Sequence, residues 1–254
     1  MSAPIADLRE RRGEEAVHGS AARGMFERIA PTYDTLNRLM SAGIDRRWRA
    51  RALVELGKAP PGPVLDLCAG TMDLTAMLAE AMPKTAVVAL DFSPKMLEAG
   101  RHKAPSARTV VGDALALPFD DASFAGAICG FGVRNFADPV KGAREALRVL
   151  QPGGVFVTLE FFKPSRLATR AFHRAYAQVI LPAVGGLVSG DPEAYRYLAR
   201  SMAGFLTRVE YERALAEVGF ERVRGFDLTL GVASVVCAWK RGDSLPARGA
   251  VGAA

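Results

Sequence analysis

From Pro63 onward the chain alternates short apolar runs with amphipathic stretches, and this alternation limits the fold more than any other feature. The apolar runs fall at residues 64–68, 86–90, 109–111, 125–131 and 155–161, with helical patterning at 71–81, 95–102 and 140–149. Strands separated by helices cannot be joined as hairpins. The pattern therefore predicts βαβ units, a parallel sheet with helices on both faces. Pro152-Gly153-Gly154 reads as a breaker between the last of these helices and the strand after it. A helical insertion follows at about 166–208, then a helix near 211–218 and two β-type runs at 223–228 and 232–239. The expected fold is α/β: a doubly wound, mostly parallel seven-stranded sheet.

Before this core, residues 22–58 carry helical patterning without strands. Met25, Phe26 and Ile29 fit one face, Leu36, Leu39 and Met40 another, and Pro31 separates the two helices. The reading is one domain over 22–241: a helical cap at 22–58, a cofactor-binding core at 63–161, the insertion at 165–208 and the end of the sheet at 209–241. Residues 1–21 and 242–254 read as mobile tails.

Composition acts mainly by exclusion. Half of the 254 residues are hydrophobic and 24% are charged, which supports a packed core rather than disorder. No apolar run approaches the roughly 18 residues that span a bilayer, and the N-terminus has no signal-type apolar segment. Three cysteines without a CxxC pair suit a reduced interior, where they read as small buried hydrophobes. The chain is expected in the cytoplasm, with peripheral contact at the inner face of the membrane. The net charge of +6 comes largely from the termini and residues 46–51, without a basic run interleaved with aromatics. Nucleic-acid binding is not expected, whereas mild attraction to an anionic membrane surface fits the charge. His18, His102 and His173 lack ligand or triad spacing, so no metal is expected.

The segment from Val64 to Thr75 reads as a strand, a small-residue turn and a helix start. Ala69 and Gly70 let a ligand approach the backbone, and the helix start offers free N–H groups and a positive dipole end. Only Gly70 is present where a dinucleotide fingerprint needs three glycines, so that class is excluded. Asp91 ends the second strand, where a carboxylate can accept both hydroxyls of a ribose. Asp113 and Ala114 follow the third strand, and an acid there can accept an adenine amino group. This ordered set resembles the class I methyltransferases, whose nucleoside cofactor has no phosphate to cradle. The resemblance implies S-adenosylmethionine, held by Asp66, Gly70, Thr71, Asp73, Asp91, Asp113, Ala114 and Gly130.

Four further segments narrow the resemblance: Met25 to Ser41 with Arg47-Trp48-Arg49; Phe131-Gly132-Val133-Arg134-Asn135; Leu159-Glu160-Phe161 with Lys163-Pro164; and Asp191 with Tyr195-Arg196-Tyr197-Leu198. Together they resemble the ubiquinone/menaquinone biosynthesis C-methyltransferases over nearly the whole chain. The resemblance implies carbon methylation of a prenylated quinol, either demethylmenaquinol or a 2-methoxy-6-polyprenyl-1,4-benzoquinol. Another phenolic or lipid-like acceptor is the alternative. Such a quinol becomes nucleophilic when a ring hydroxyl loses its proton, so Arg134 and Asn135 are expected to stabilise a developing phenolate. Arginine does not readily act as a base; a structural salt bridge is the other reading of Arg134. Tyr33 and Asp34 are expected to fold over the pocket and contact cofactor or quinol, with Tyr33 as a third catalytic residue, or else to pack within the cap. Tyr195, Arg196 and Asp191 are the expected substrate-side residues. The uncharged stretch 176–190 suits an apolar groove for the prenyl tail, and a homodimer is left open. One departure stands out: Met72 and Ala69 occupy positions where the resemblance expects glycine. Met72 must then point away from the cofactor or narrow its pocket.

Overall fold

The computed structural model describes residues 20–164, 169–170, 197 and 200–242. The expected substrate-side residues Asp191, Tyr195 and Arg196, and the stretch 176–190, lie outside the described residues.

Among the described residues three helices form the N-terminal cap: α1 (Ser20–Ile29), α2 (Tyr33–Ser41) and α3 (Asp45–Leu56). The core then runs β1 (Val64–Leu67), α4 (Asp73–Ala81), β2 (Val87–Asp91), α5 (Pro94–Gly100), β3 (Arg108–Val111), β4 (Phe124–Gly130), α6 (Pro139–Val149) and β5 (Leu150–Glu160). After the insertion come α7 (Arg208–Val218), β6 (Arg222–Leu228) and β7 (Ala233–Trp239). The seven strands form one sheet in the order β3-β2-β1-β4-β5-β7-β6. All pairs from β3 to β5 are parallel, and β7 runs antiparallel between β5 and β6.

Period-two alternation along the strands feeds two core layers. Leu65, Leu67 and Phe156 face the layer closed by Ala143 and Ala146 of α6 and Tyr211 and Leu215 of α7. Val64, Val155 and Val157 face the opposite layer, closed by Trp48, Ala52 and Leu56 of α3 and Leu74 and Leu78 of α4. Strands covered on both sides need apolar residues at every position. This explains β7: Ser234-Val235-Val236-Cys237 is unusually apolar because every residue of that strand is buried between two neighbours.

The helix starts are set by short polar residues. Asp138 accepts the Lys141 N–H at 2.9 Å, with Pro139 at the first helical position. Thr207 and Glu210 form a reciprocal capping box on α7.

Three sequence expectations need correction. Leu150 already pairs with Phe124, so β5 begins before Pro152-Gly153-Gly154 and carries it as a register-shifting irregularity, with Gly153 at φ +76°. Helix α4 starts at Asp73 rather than Thr71, because Met72 is left-handed (φ 62°, ψ 22°). Leu39 is exposed rather than packed in the cap.

Candidate active site

In an open α/β sheet the ligand crevice forms where neighbouring connections leave one strand in opposite directions. Here that point is β1, flanked by β2 on one side and β4 on the other. A cleft of about 600 Å³ opens at the carboxyl ends of these strands. Gly70, Asp91, Asp113, Ala114 and Gly130 line it, as the sequence led us to expect, together with Tyr33 from α2 and Asn135. Sequence reasoning had not singled out Arg23, Cys68, Phe92, Met96 and Leu115, which also line it. Cys68 is half-buried and faces the cleft, so it departs from the buried role expected for all three cysteines.

Asp91 is the polar anchor. It is 4% exposed, and its two oxygens accept the N–H groups of Gly70 and Ser93, each at 2.9 Å. Burial pushes its carboxyl up to about 6, outweighing the lowering by the Ser93 and Gly70 donors. Each oxygen retains a second lone pair for a ligand hydroxyl. Asp113 lies on the far rim with one oxygen taken by the Leu115 N–H at 2.9 Å, beside the apolar Ala114, Leu115 and Phe92. A charged acceptor, an apolar slot and no glycine-rich phosphate cradle fit a nucleoside without phosphates.

Asp66, Thr71 and Asp73 do not line the cleft. Asp66 is 1% exposed and accepts the Thr75 hydroxyl at 2.6 Å, while its Oδ1 has no hydrogen-bond partner. Burial raises this carboxyl to about 6 as well, against the Thr75 hydrogen bond. Thr71 donates its hydroxyl to Asp34, and Asp73 accepts from Lys103 Nζ at 2.6 Å. Lys103 also contacts Asp34. One ammonium therefore joins the cap helix α2 to the start of α4. Nothing in the sequence marks Lys103, which lies 69 residues from Asp34 and 30 from Asp73.

Met72 resolves the question its position raised. Its side chain is fully buried with Ala69, Ala89, Leu97 and Ala104, and is directed away from the cleft. A left-handed backbone costs an L-residue about 1–2 kcal/mol, and burying a methionine returns about 1.5–3 kcal/mol. The exchange is close to even. The loop sits tight against α5, where a Cβ on Gly100 would lie 2.2 Å from the Thr71 carbonyl oxygen.

Arg134 follows β4 in a short 3-10 turn and is 6% exposed, behind the cleft wall. Its guanidinium meets Glu160 at 2.8 Å, and its backbone N–H reaches the same carboxylate at 3.1 Å. Burial would lower the arginine, but Glu160 and the nearby Tyr33 and Tyr197 oxygens outweigh it and shift it upward. Arg134 is a fixed positive charge, not a base. Asn135 faces the cleft and accepts the Tyr197 hydroxyl on Oδ1 at 3.0 Å, so its amide N–H pair is what it offers to a ligand. Phe26 packs edge-to-face on Tyr33, Phe92 and Tyr197, with centroids 6.0–6.4 Å apart. It closes the cleft between cap, β2 and insertion.

A family model described as the ubiE/COQ5 methyltransferase family matches residues 13–240. The chain belongs to this family. It is 43% identical to the demethylmenaquinone methyltransferase of Deinococcus radiodurans, over 90% of this chain and 96% of the relative. It is 42% identical to the ubiquinone/menaquinone biosynthesis C-methyltransferase UbiE of Geobacter sp. strain M21, over 85% of this chain and 95% of that one. A solved SAM-dependent methyltransferase from Thermotoga maritima shares the fold at TM-score 0.61 and 19% identity, covering 86% of this chain and 99% of its own. Membership makes this chain a methyltransferase of class I fold that draws its methyl group from S-adenosylmethionine.

The Lys103 bridge gives a first prediction. Lys103→Met removes the charge but keeps the length, and is expected to raise the KM for S-adenosylmethionine about tenfold with kcat nearly unchanged. Lys103→Arg should recover most of the loss. Steady-state kinetics check this, and an unchanged KM in Lys103→Met would show that the bridge does not order the cofactor loop.

Proposed function

We propose that this UbiE/COQ5-family chain methylates a ring carbon of a prenylated quinol, demethylmenaquinol or the 2-methoxy-6-polyprenyl-1,4-benzoquinol. The reading rests on the relatives' activities together with one observation: a fixed, buried arginine beside a cleft-facing asparagine and tyrosine. S-adenosylmethionine, when bound, supplies a sulfonium methyl that needs no further activation.

The remaining work falls to the protein. Asp91 holds the ribose hydroxyls, and the apolar slot of Phe92, Ala114 and Leu115 takes the adenine, with Asp113 at its amino edge. Asp66, Thr71 and Asp73 act from behind the cleft by shaping the loop, Asp66 through the Thr75 hydroxyl and Asp73 through Lys103. On the acceptor side, Asn135 donates to the quinol oxygen, and the Arg134 charge favours its phenolate form in a site that Phe26 and Tyr33 close to water. Loss of the hydroxyl proton raises electron density on the neighbouring ring carbon, which is held in line with the methyl group. Asp191, Tyr195 and Arg196 are proposed to complete the acceptor wall. The acceptor's tail partitions into bilayers, so the enzyme works at a membrane surface. No described helix is long and apolar enough to cross one.

The test is a panel of short-tail demethylated naphthoquinols and benzoquinols, each offered reduced and oxidised, with product masses read after turnover. Gain of one methyl by a reduced quinol alone is expected. Equal methylation of the oxidised form would contradict a phenolate nucleophile.

A further inference from the structure

The outward face of α3 and the edge strand β6 share one positively charged surface. Arg47, Arg51, Val54 and Lys58 are spaced by four, three and four residues, which places them on one side of the helix and its C-terminal turn. On β6 the even positions face the same way: Arg51 lies over the Phe226 ring at 4.3 Å, and Arg222 and Arg224 lie over Trp239 at 4.0 and 5.2 Å. The odd residue Asp227 turns to the other side and pairs with Arg208.

Glu55 is the anion set among these cations, contacted by Arg51, Lys58 and Arg224, with its side chain only 1% exposed. The side chains of those three cations are 41–48% exposed. The charge presented to solvent is therefore positive, with Val54 at 60% exposure in its midst.

This surface ends at the same edge of the sheet as the cleft. β6 runs parallel to β5, since both are antiparallel to β7, so its carboxyl end lies at the ligand edge of the sheet. There the chain turns through Thr229 and Leu230, both with positive φ (45° and 56°). Trp48 Nε1 donates to Thr229 Oγ1 at 2.8 Å, and Thr169 Oγ1 to the Leu230 carbonyl at 2.7 Å. These two bonds pin the turn with the Leu230 side chain 80% exposed, and Ile44 is exposed one helical turn before Trp48. Charges on an edge strand also discourage strand pairing. That accounts for Arg222 and Arg224, but not for a leucine held into water by a strained backbone.

We propose that this face docks on anionic lipid headgroups, with Leu230 entering the acyl boundary at the sheet edge on which the cleft opens. The proposal rests on the prenylated-quinol reading, because a bilayer-borne acceptor gives the exposed leucine its purpose. Basic residues supply the attraction, and an apolar anchor on the cleft's side of the sheet sets the orientation. A nucleic acid would match the charge but would leave Leu230 without a role.

The experiment is co-sedimentation of the full chain with phosphatidylcholine vesicles, with and without phosphatidylglycerol. Wild type, Arg47→Glu/Arg222→Glu and Leu230→Asn are compared; asparagine tolerates the left-handed backbone, so the turn is kept. Wild type is expected to bind only the anionic vesicles, less tightly as salt rises. The double variant should bind at least tenfold more weakly, and Leu230→Asn severalfold more weakly even at moderate salt. All three should turn over a water-soluble short-tail quinol alike, while the variants lose turnover of a long-tail quinol in vesicles. Vesicle binding equal in all three proteins would overturn the docking face, as would no anionic binding by wild type or preferential capture of DNA. Failure of wild type on the short-tail quinol would instead sink the acceptor assignment.

Discussion

Glu160→Ala is expected to lower folding stability by about 3–5 kcal/mol, because it leaves the Arg134 charge buried without its carboxylate. The size follows from the geometry. Glu160 is fully buried, and it holds Arg134 through both the guanidinium and the backbone N–H. Glu160 also accepts the Phe161 N–H at 2.7 Å, so one carboxylate organises the chain beyond β4 and the end of β5. A surface ion pair of the same length would contribute about 0–1 kcal/mol. Glu160→Gln keeps the shape and should lose less stability, yet turnover should still fall because Arg134 is no longer held by charge. Urea unfolding of Glu160→Ala, Arg134→Met and the double variant measures the coupling. A loss below about 1 kcal/mol in Glu160→Ala would contradict a buried, interdependent pair. Arg134→Ala, if folded, should retain cofactor binding and lose turnover; loss of both would mean that the arginine shapes the cofactor side.

The second large effect is on the cofactor. Asp91→Asn is expected to weaken S-adenosylmethionine binding at least a hundredfold, since charge-assisted hydrogen bonds are worth about 1.5–3 kcal/mol each. An amide there also turns an N–H group toward the Gly70 or Ser93 donor. Wild-type binding should depend on pH in the same region. Burial lifts Asp91 from its usual 3.8 to about 6, so below about pH 6 the free protein holds a proton there that ligand binding to the carboxylate must release. Affinity should fall as pH drops through about 6, with proton release visible by calorimetry in buffers of different ionisation enthalpy. Flat affinity from about pH 5 to 8 would refute the role of this carboxylate.

For stability the sign reverses. A raised folded-state value means that Asp91 and Asp66 favour folding below 3.8, and that this contribution is lost as pH rises to about 6. Glu55 acts oppositely. Burial pushes it up, but hydrogen bonds from Lys58 and Arg51 and the Arg224 charge outweigh burial and hold it at about 2. Its stabilisation is complete above 4.5 and lost as pH falls through 2.

The parallel, doubly wound core was legible because strands covered on both faces read as continuous apolar runs separated by helices, and Asp91 stood out because it closes such a run. What escaped the sequence depended on contacts across the fold. Lys103 looks like an ordinary surface lysine until Asp34 and Asp73 are brought to it from different layers. Arg134 could be read as a catalytic charge or a salt bridge, and it is paired across 26 residues while standing beside the cleft. The strand expected from Val155 in fact begins at Leu150: Pro152-Gly153 resembles a terminator, although β5 carries it as an irregularity. Met72 was rightly marked as unusual, but only the packing of Ala89 and Leu97 shows that its side chain leaves the cofactor side free.

The most direct test of the account is where the methyl group goes. Wild type is incubated with S-adenosylmethionine carrying a ¹³C methyl group and a reduced demethylated quinol, and the product is read by carbon NMR. The account predicts a methyl resonance on a ring carbon. A methoxy resonance, or transfer only to a phenol without a prenyl tail, would contradict it.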